Sequence, residues 1–226
     1  MYIVDREYFF DNFPFRPLKH IGVETVNQII DNYNNDEGYQ YLKEVAYVLA
    51  TAYHESAGTW NPSIREYGRG IGKKYGLPDK ETGEIYYGRG LCQLTWKSNY
   101  EKFSKILRID LVQNPDLALD ANYSIQILMV GMRDGIFTNH RLSTYFNDIT
   151  TNWIGARKII NGKDRANLIA SYGIKFHNAL KYLNDKNDND ILKSIENPDQ
   201  ESLKIEASIP HPVEIDGQKY EISING

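Results

Sequence analysis

Between positions 58 and 90 the chain loses every regular period. Glycine recurs at 58, 68, 70, 72, 76, 83, 88 and 90, proline stands at 62 and 78, and charged residues fill much of the rest. Glycine readily adopts left-handed backbone and proline removes an amide donor, so no helix of useful length fits here. Long irregular stretches inside a compact domain are uncommon and serve either as functional loops or as mobile insertions. Any fold of this chain must hold that segment between regular elements on both sides.

Those flanking elements read as helices. Val23, Val26, Ile29, Ile30 and Tyr33 recur at helical spacing before the breaker-rich NYNNDEG. A second helix is predicted from Tyr39 to His54, with Leu42, Val45, Ala46, Leu49 and Tyr53 on its stripe, ending near Glu55 and Ser56. Beyond Thr95, the residues Tyr100, Phe103, Ile106 and Leu107 mark another helix, and NPDLALD reads as a turn with helix-start residues. The nearly all-apolar stretch from Tyr123 to Met132 predicts a buried central helix. Trp153 to Ile160 predicts a short helix, and an amphipathic one starts at Asp164 and carries Ala166, Ile169, Ala170, Gly173, Phe176, Leu180 and Leu183 on one face. After Asn184 the run NDKNDND is a linker signal, and VEIDGQKYEISI alternates around Asp216-Gly217 as a hairpin does. The chain is thus expected to be mainly α, with a small β wing and a short C-terminal β-hairpin extension. Residues 1–185 would form the main domain, and 186–226 a linker with a small β element.

Composition excludes several function classes. A net charge of −4 and a pI near 5.8 leave no global basic field, so no nucleic-acid partner is expected. Arg65, Arg69, Lys73 and Lys74, interleaved with Tyr67 and Tyr75, could suit single strands but read as a solvated loop or an anion-binding cleft rim. Cys92 is the single cysteine, which rules out an intrachain disulfide and a cysteine-based zinc cluster. It reads as a small buried hydrophobe and not as a nucleophile. The opening MYIVDREYFF has no apolar run of signal-peptide length and no stretch approaches a membrane span. Synthesis in a cytoplasm, no membrane insertion and a monomeric state are the expectations. Seventeen tyrosines suit half-buried cores and carbohydrate clefts alike.

Glu55, in AYHESAG, falls on the last turn of an apolar helix. The negative end of the helix dipole and partial burial both favour a protonated carboxyl, which a general acid requires. A metalloprotease reading of His54-Glu55 fails, because position 58, where the second histidine belongs, is Gly58. No metal and no cofactor are expected.

The segment YYGRGLCQLTWKSNY, Tyr86 to Tyr100, closely resembles the signature of glycoside hydrolase family 19, the chitinase and endolysin-lysozyme family. AYHESAG and IINGKDRANLIASY resemble two further segments of that family, in the same order. The resemblance runs from about Tyr39 to Leu183. It implies a two-lobed, lysozyme-like helical domain and an inverting mechanism, in which an acid protonates the leaving oxygen and a base activates water on the opposite face. It also implies Glu55 as acid, Thr95 as a holder of the water, and Gln93, Asn99, Tyr86, Arg89, Asn161 and Arg165 as contacts to sugar or braces of the carboxylates. For the base, Glu66 in IREYGRG is preferred, with Glu84 and Glu81 as rivals. If the stretch is helical, Asn99 shares a face with Thr95. The expected function is hydrolysis of β-1,4 linkages in peptidoglycan. Chitin is the alternative substrate, and a non-catalytic glycan-binding protein of the same fold is the alternative from another class. Peptidoglycan is preferred because the short, disulfide-free chain resembles phage members and because its carboxylates could meet the basic loop.

Overall fold

The computed structural model describes residues 3–183 and the backbone of two short strands, 213–215 and 218–220. Seven α-helices form the body: α1 (Arg6–Asp11), α2 (His20–Asn35), α3 (Leu42–Glu55), α4 (Lys97–Leu107), α5 (Ala121–Asp134), α6 (Leu142–Tyr145) and α7 (Ala166–Asn178). The irregular segment that separates α3 from α4 forms a second, smaller lobe. Among the described residues no helix is long and apolar enough to cross a membrane.

The centre is α3, whose run from Val45 to Ala50 is wholly shielded from solvent, so it is packed on every side rather than along one stripe. Glu44 opens it by folding back to accept from the amides of Gln40 and Tyr41 at 2.8 and 3.0 Å. These bonds satisfy donors that a buried helix start would otherwise strand. The predicted stripe of α2 is buried as expected, from Val23 to Tyr33. The predicted central helix is α5, capped by the Asp120 carboxylate on the amides of Asn122 and Tyr123 and stopped by left-handed Gly135. Gly173 lets α7 lie close on the core, since a Cβ there would stand 2.8 Å from the ring of Trp153 and 3.3 Å from that of Tyr47.

Phe176 of α7 is the hub of an aromatic cluster. Its ring centroid lies 5.1 Å from Phe15, 5.8 Å from Phe13 and Trp60, and 6.1 Å from Tyr53. Tyr53 precedes His54 and Glu55, so this cluster also fixes the C-terminal end of α3. Phe176→Ala is expected to lower unfolding stability by about 3–5 kcal/mol through lost burial and a residual cavity. Urea denaturation checks this, and a loss below about 1 kcal/mol would show that the cluster collapses around the gap.

Some elements depart from the sequence expectation. The stretch Trp153 to Ile160 contains a 3-10 turn, Gly155–Ile159, and not an α-helix. Helix α7 stops at Asn178, and Tyr182 and Leu183 turn back to bond the N-terminal strand through Val4 and Ile3. Helices α1 and α6 are too short to leave a readable period. Pairing within the wing is limited to isolated bridges, Arg65 with Arg89 and Arg89 with Leu94. Val213–Ile215 and Gln218–Tyr220 pair antiparallel, Val213 opposite Tyr220, and the expected turn at Asp216-Gly217 lies outside the described residues. The linker and the domain boundary near 186 lie outside the described residues.

Candidate active site

Glu55 ends α3, and the chain reverses immediately after it through left-handed Ala57 and Gly58. Its Oε1 accepts from Nη1 of Arg157 at 2.9 Å, and Arg157 also donates from Nε to the carbonyl of Asp164 at 3.0 Å. The guanidinium is 3% exposed and the carboxylate 17%, so this ion pair is largely withdrawn from water. Removing one partner of such a pair strands the other charge, so Arg157→Ala is expected to cost about 3 kcal/mol of stability, read by thermal unfolding. A melting temperature unchanged from the parent would refute that pairing. His54 is held below the ordinary histidine range, by burial first and then by Arg157 and Arg165, with Glu55 opposing. Arg157, Arg165 and Asp164 therefore gather at the end of α3 with Glu55.

Arg157 escaped the sequence reading. Its signal was present, since it precedes Asn161 by one helical turn within ARKIING. The Asn161 amide bonds the Arg157 carbonyl at 2.9 Å. Asn161 and Arg165 themselves are exposed, beside the buried guanidinium. The structure therefore brings this late segment to Glu55 through Arg157.

Glu66 stands on the wing. Its amide donates to Gly88 at 2.7 Å, its Oε2 accepts the Gly88 amide at 3.0 Å, and its Oε1 accepts the Tyr75 hydroxyl at 2.8 Å. Neighbouring residues on extended backbone point to opposite faces. Arg65 accordingly turns away and forks onto Asp116 at 2.9 and 3.0 Å. At Gly88 a Cβ would meet Gln93 Oε1 at 2.8 Å and Glu66 Cβ at 3.2 Å, so Gln93 and Glu66 are neighbours across a tight glycine position. Cys92, next to Gln93, feels Glu55. Burial first, and then the Glu55 charge, push its thiol up to about 12, and it is inert as a nucleophile at neutral pH. Glu66 therefore packs beside Gln93, while the neighbouring Cys92 lies within electrostatic reach of Glu55.

Thr95 and Asn99 meet without sharing a helix. Helix α4 begins only at Lys97, yet Asn99 Nδ2 donates to the Thr95 carbonyl at 2.9 Å. Between them Trp96 holds the unusual φ of 71°, is 47% exposed, and packs edge-on to Tyr75 at 5.2 Å. Strained backbone of this kind costs about 1–3 kcal/mol and persists only where its surroundings impose it. An exposed indole beside the tyrosine that bonds Glu66 makes an aromatic platform of the kind sugar rings stack on. Trp96 too was missing from the sequence reading.

Four predicted residues are placed elsewhere. Tyr86 is buried, and its hydroxyl contacts Thr82 and the carbonyl of Val112 at 2.9 Å each. Arg89 is buried as well, donating to Asp116, to the carbonyls of Ile85 and Tyr87, and to the Tyr100 hydroxyl. Both therefore brace the wing from inside, Tyr86 shut away from any ligand and Arg89 turned to the cavity beside Asp116, in place of the substrate-binding role expected of them. Glu81 is exposed and salt-bridged to Lys97 at 2.5 Å, and Lys97 also bonds Asp79, whose carboxyl it holds down at about 2. Glu84 lines a separate cavity with Arg65, Arg89 and Asp116, on the face of the wing opposite Glu66. Among the three rival glutamates, Glu66 alone adjoins Gln93.

This geometry falls within a recognisable sequence family. A family model described as chitinase class I, glycoside hydrolase 19, matches residues 35–135, which include Glu55, Glu66 and the Tyr86–Tyr100 signature. Over those residues the chain is similar to the family 19 chitinases. The basic endochitinase of Vitis vinifera is 34% identical over 100 residues, covering 37% of this chain and 31% of that one. The acidic endochitinase of Petunia hybrida is 40% identical over 86 residues, covering 37% and 33%. The chitinase-like chain thus spans about a third of the length of these relatives. Its fold is shared with chitinase C from Streptomyces griseus HUT6037, at 20% identity and a TM-score of 0.53, covering 77% of this chain and 91% of that one.

Proposed function

We propose that the chain is a family 19 glycoside hydrolase that cleaves β-1,4 linkages between N-acetylated amino sugars, with chitin as its substrate. The observation that carries the reading is the family match over residues 35–135, which takes in both Glu55 and Glu66. Arg157 holds Oε1 of Glu55, leaving Oε2 to carry the proton to the leaving oxygen. Glu66, oriented by Tyr75 and the Gly88 amide, takes a proton from the attacking water, which Thr95 helps to place. Water attacks from the face opposite the leaving group, so the product emerges inverted.

The relatives weigh the substrate towards chitin and away from peptidoglycan, which the sequence alone had favoured, since those matched are named chitinases. The test is hydrolysis of a soluble neutral chitin derivative and of chitin hexasaccharide by the purified chain. Shortened oligosaccharides are expected. Binding of the hexasaccharide with no product after prolonged incubation would instead favour the non-catalytic, glycan-binding alternative.

A further inference from the structure

The 3-10 turn that supplies Arg157 has a second side. Arg157 turns inward to Glu55, whereas the next residue, Lys158, is exposed and lines a cavity of about 690 Å³ outside the turn. Lys163 and Arg165 line the same cavity, together with the amide side chains of Asn152 and Asn167 and the part-exposed apolar side chains of Ile154 and Leu168. No carboxylate is among its lining residues. Asp164 lies between Lys163 and Arg165 in sequence but is absent from that lining, and its carbonyl is engaged by Arg157. The protein as a whole is acidic, at −4, so three cations around one concavity form a local positive site against an opposing background. Arg157, which precedes Lys158, bonds both Glu55 and the carbonyl of Asp164, the residue between Lys163 and Arg165, so the cavity adjoins the helix end that carries the proposed acid.

Unsubstituted chitin is neutral and gives these cations nothing to pair with. We infer that the cavity formed by Lys158, Lys163 and Arg165 receives carboxylate groups borne on the glycan chain next to the bond being cleaved, so that chitin chains carrying acidic substituents bind more tightly than neutral ones. Asn152 and Asn167 would hydrogen-bond the same substituent, and Ile154 and Leu168 would cover its aliphatic part. The inference rests on the glycosidase reading above and adds a charge preference to it.

Two soluble polymers of one backbone separate the possibilities: glycol chitin, which is neutral, and carboxymethyl chitin, which is anionic. Affinity for each is measured at low salt on the Glu55→Gln protein, which does not consume them, with and without the added pair Lys158→Gln and Lys163→Gln. Both lysines are exposed, so the fold tolerates these changes. Carboxymethyl chitin is expected to bind roughly five- to tenfold more tightly than glycol chitin, a preference that the double substitution removes and salt screens. Glycol chitin affinity should stay within about twofold throughout, as should its hydrolysis by the double variant that retains Glu55. Equal affinity for the two polymers, or a preference that survives the double substitution, overturns the inference. Failure of the unsubstituted protein to hydrolyse glycol chitin overturns the parent reading instead, and the affinity ratio still decides this one.

Discussion

Glu55→Gln is expected to lower glycosidic hydrolysis by about 10²–10⁴-fold, the usual contribution of a general acid. The reason lies in the asymmetry of its surroundings. Arg157 holds Oε1 at 2.9 Å with a guanidinium that is itself buried and fixed to the carbonyl of Asp164. A glutamine keeps an acceptor for that guanidinium, so the helix end should stay in place. It has no proton to give the leaving oxygen, so the chemistry should stop. Glu55→Ala would confound the experiment, because it abandons Arg157 in a dry environment and so also acts through stability. The measurement is the initial rate on chitin hexasaccharide, with thermal unfolding as the control for folding and calorimetry for binding. A rate within about threefold of the parent would remove Glu55 from the role of acid.

A loss of similar size, about 10²-fold or more, is expected for Glu66→Gln, with Glu84→Gln close to the parent. Glu66 accepts two hydrogen bonds, from the Tyr75 hydroxyl and the Gly88 amide. A glutamine can keep both partners, its Oε1 accepting the Gly88 amide and its Nε2 donating to the rotated Tyr75 hydroxyl, so local stability is nearly unchanged. The stability change should therefore be small and the kinetic change large, and that split distinguishes a base from a brace. Glu84 sits on the far face of the wing with Arg65 and Asp116, where a proton taken from water would be of no use beside Gln93. Thr95→Ala should fall between the two, since it disturbs the water and leaves both carboxylates. Proton NMR of the first product supplies an independent check: inversion is expected, and retention would require a nucleophile about 5–5.5 Å from the acid. Full activity in Glu66→Gln with loss in Glu84→Gln would transfer the role of base to Glu84.

Much of the fold was legible because helices write their burial into a local period. The stripe from Val23 to Tyr33 and the apolar run of α5 each lie within one element, and both are buried where the period put them. Glycines at 58–90 marked a lobe whose regular elements are only the short 3-10 turns Tyr67–Gly70 and Lys74–Gly76, since left-handed backbone is visible in residue type. Glu55 was legible for the same local reason, as the last residue of an apolar helix. Three things were decided only by tertiary structure. Arg157 reaches Glu55 across 102 positions of sequence, and no period within either segment records that meeting. Tyr86 and Arg89 belong to a signature that reads as binding chemistry, yet the packing of Asp116, Tyr100 and Val112 around them turns both inward. Lys158 and Arg157 are neighbours in sequence and opposites in use, one exposed and one buried, because a single 3-10 turn has an inner and an outer face. Residue type and spacing therefore settled which elements form and which groups could carry chemistry. Which of those groups face each other was left to the close packing of segments far apart in the chain, where burial determines which charges must pair.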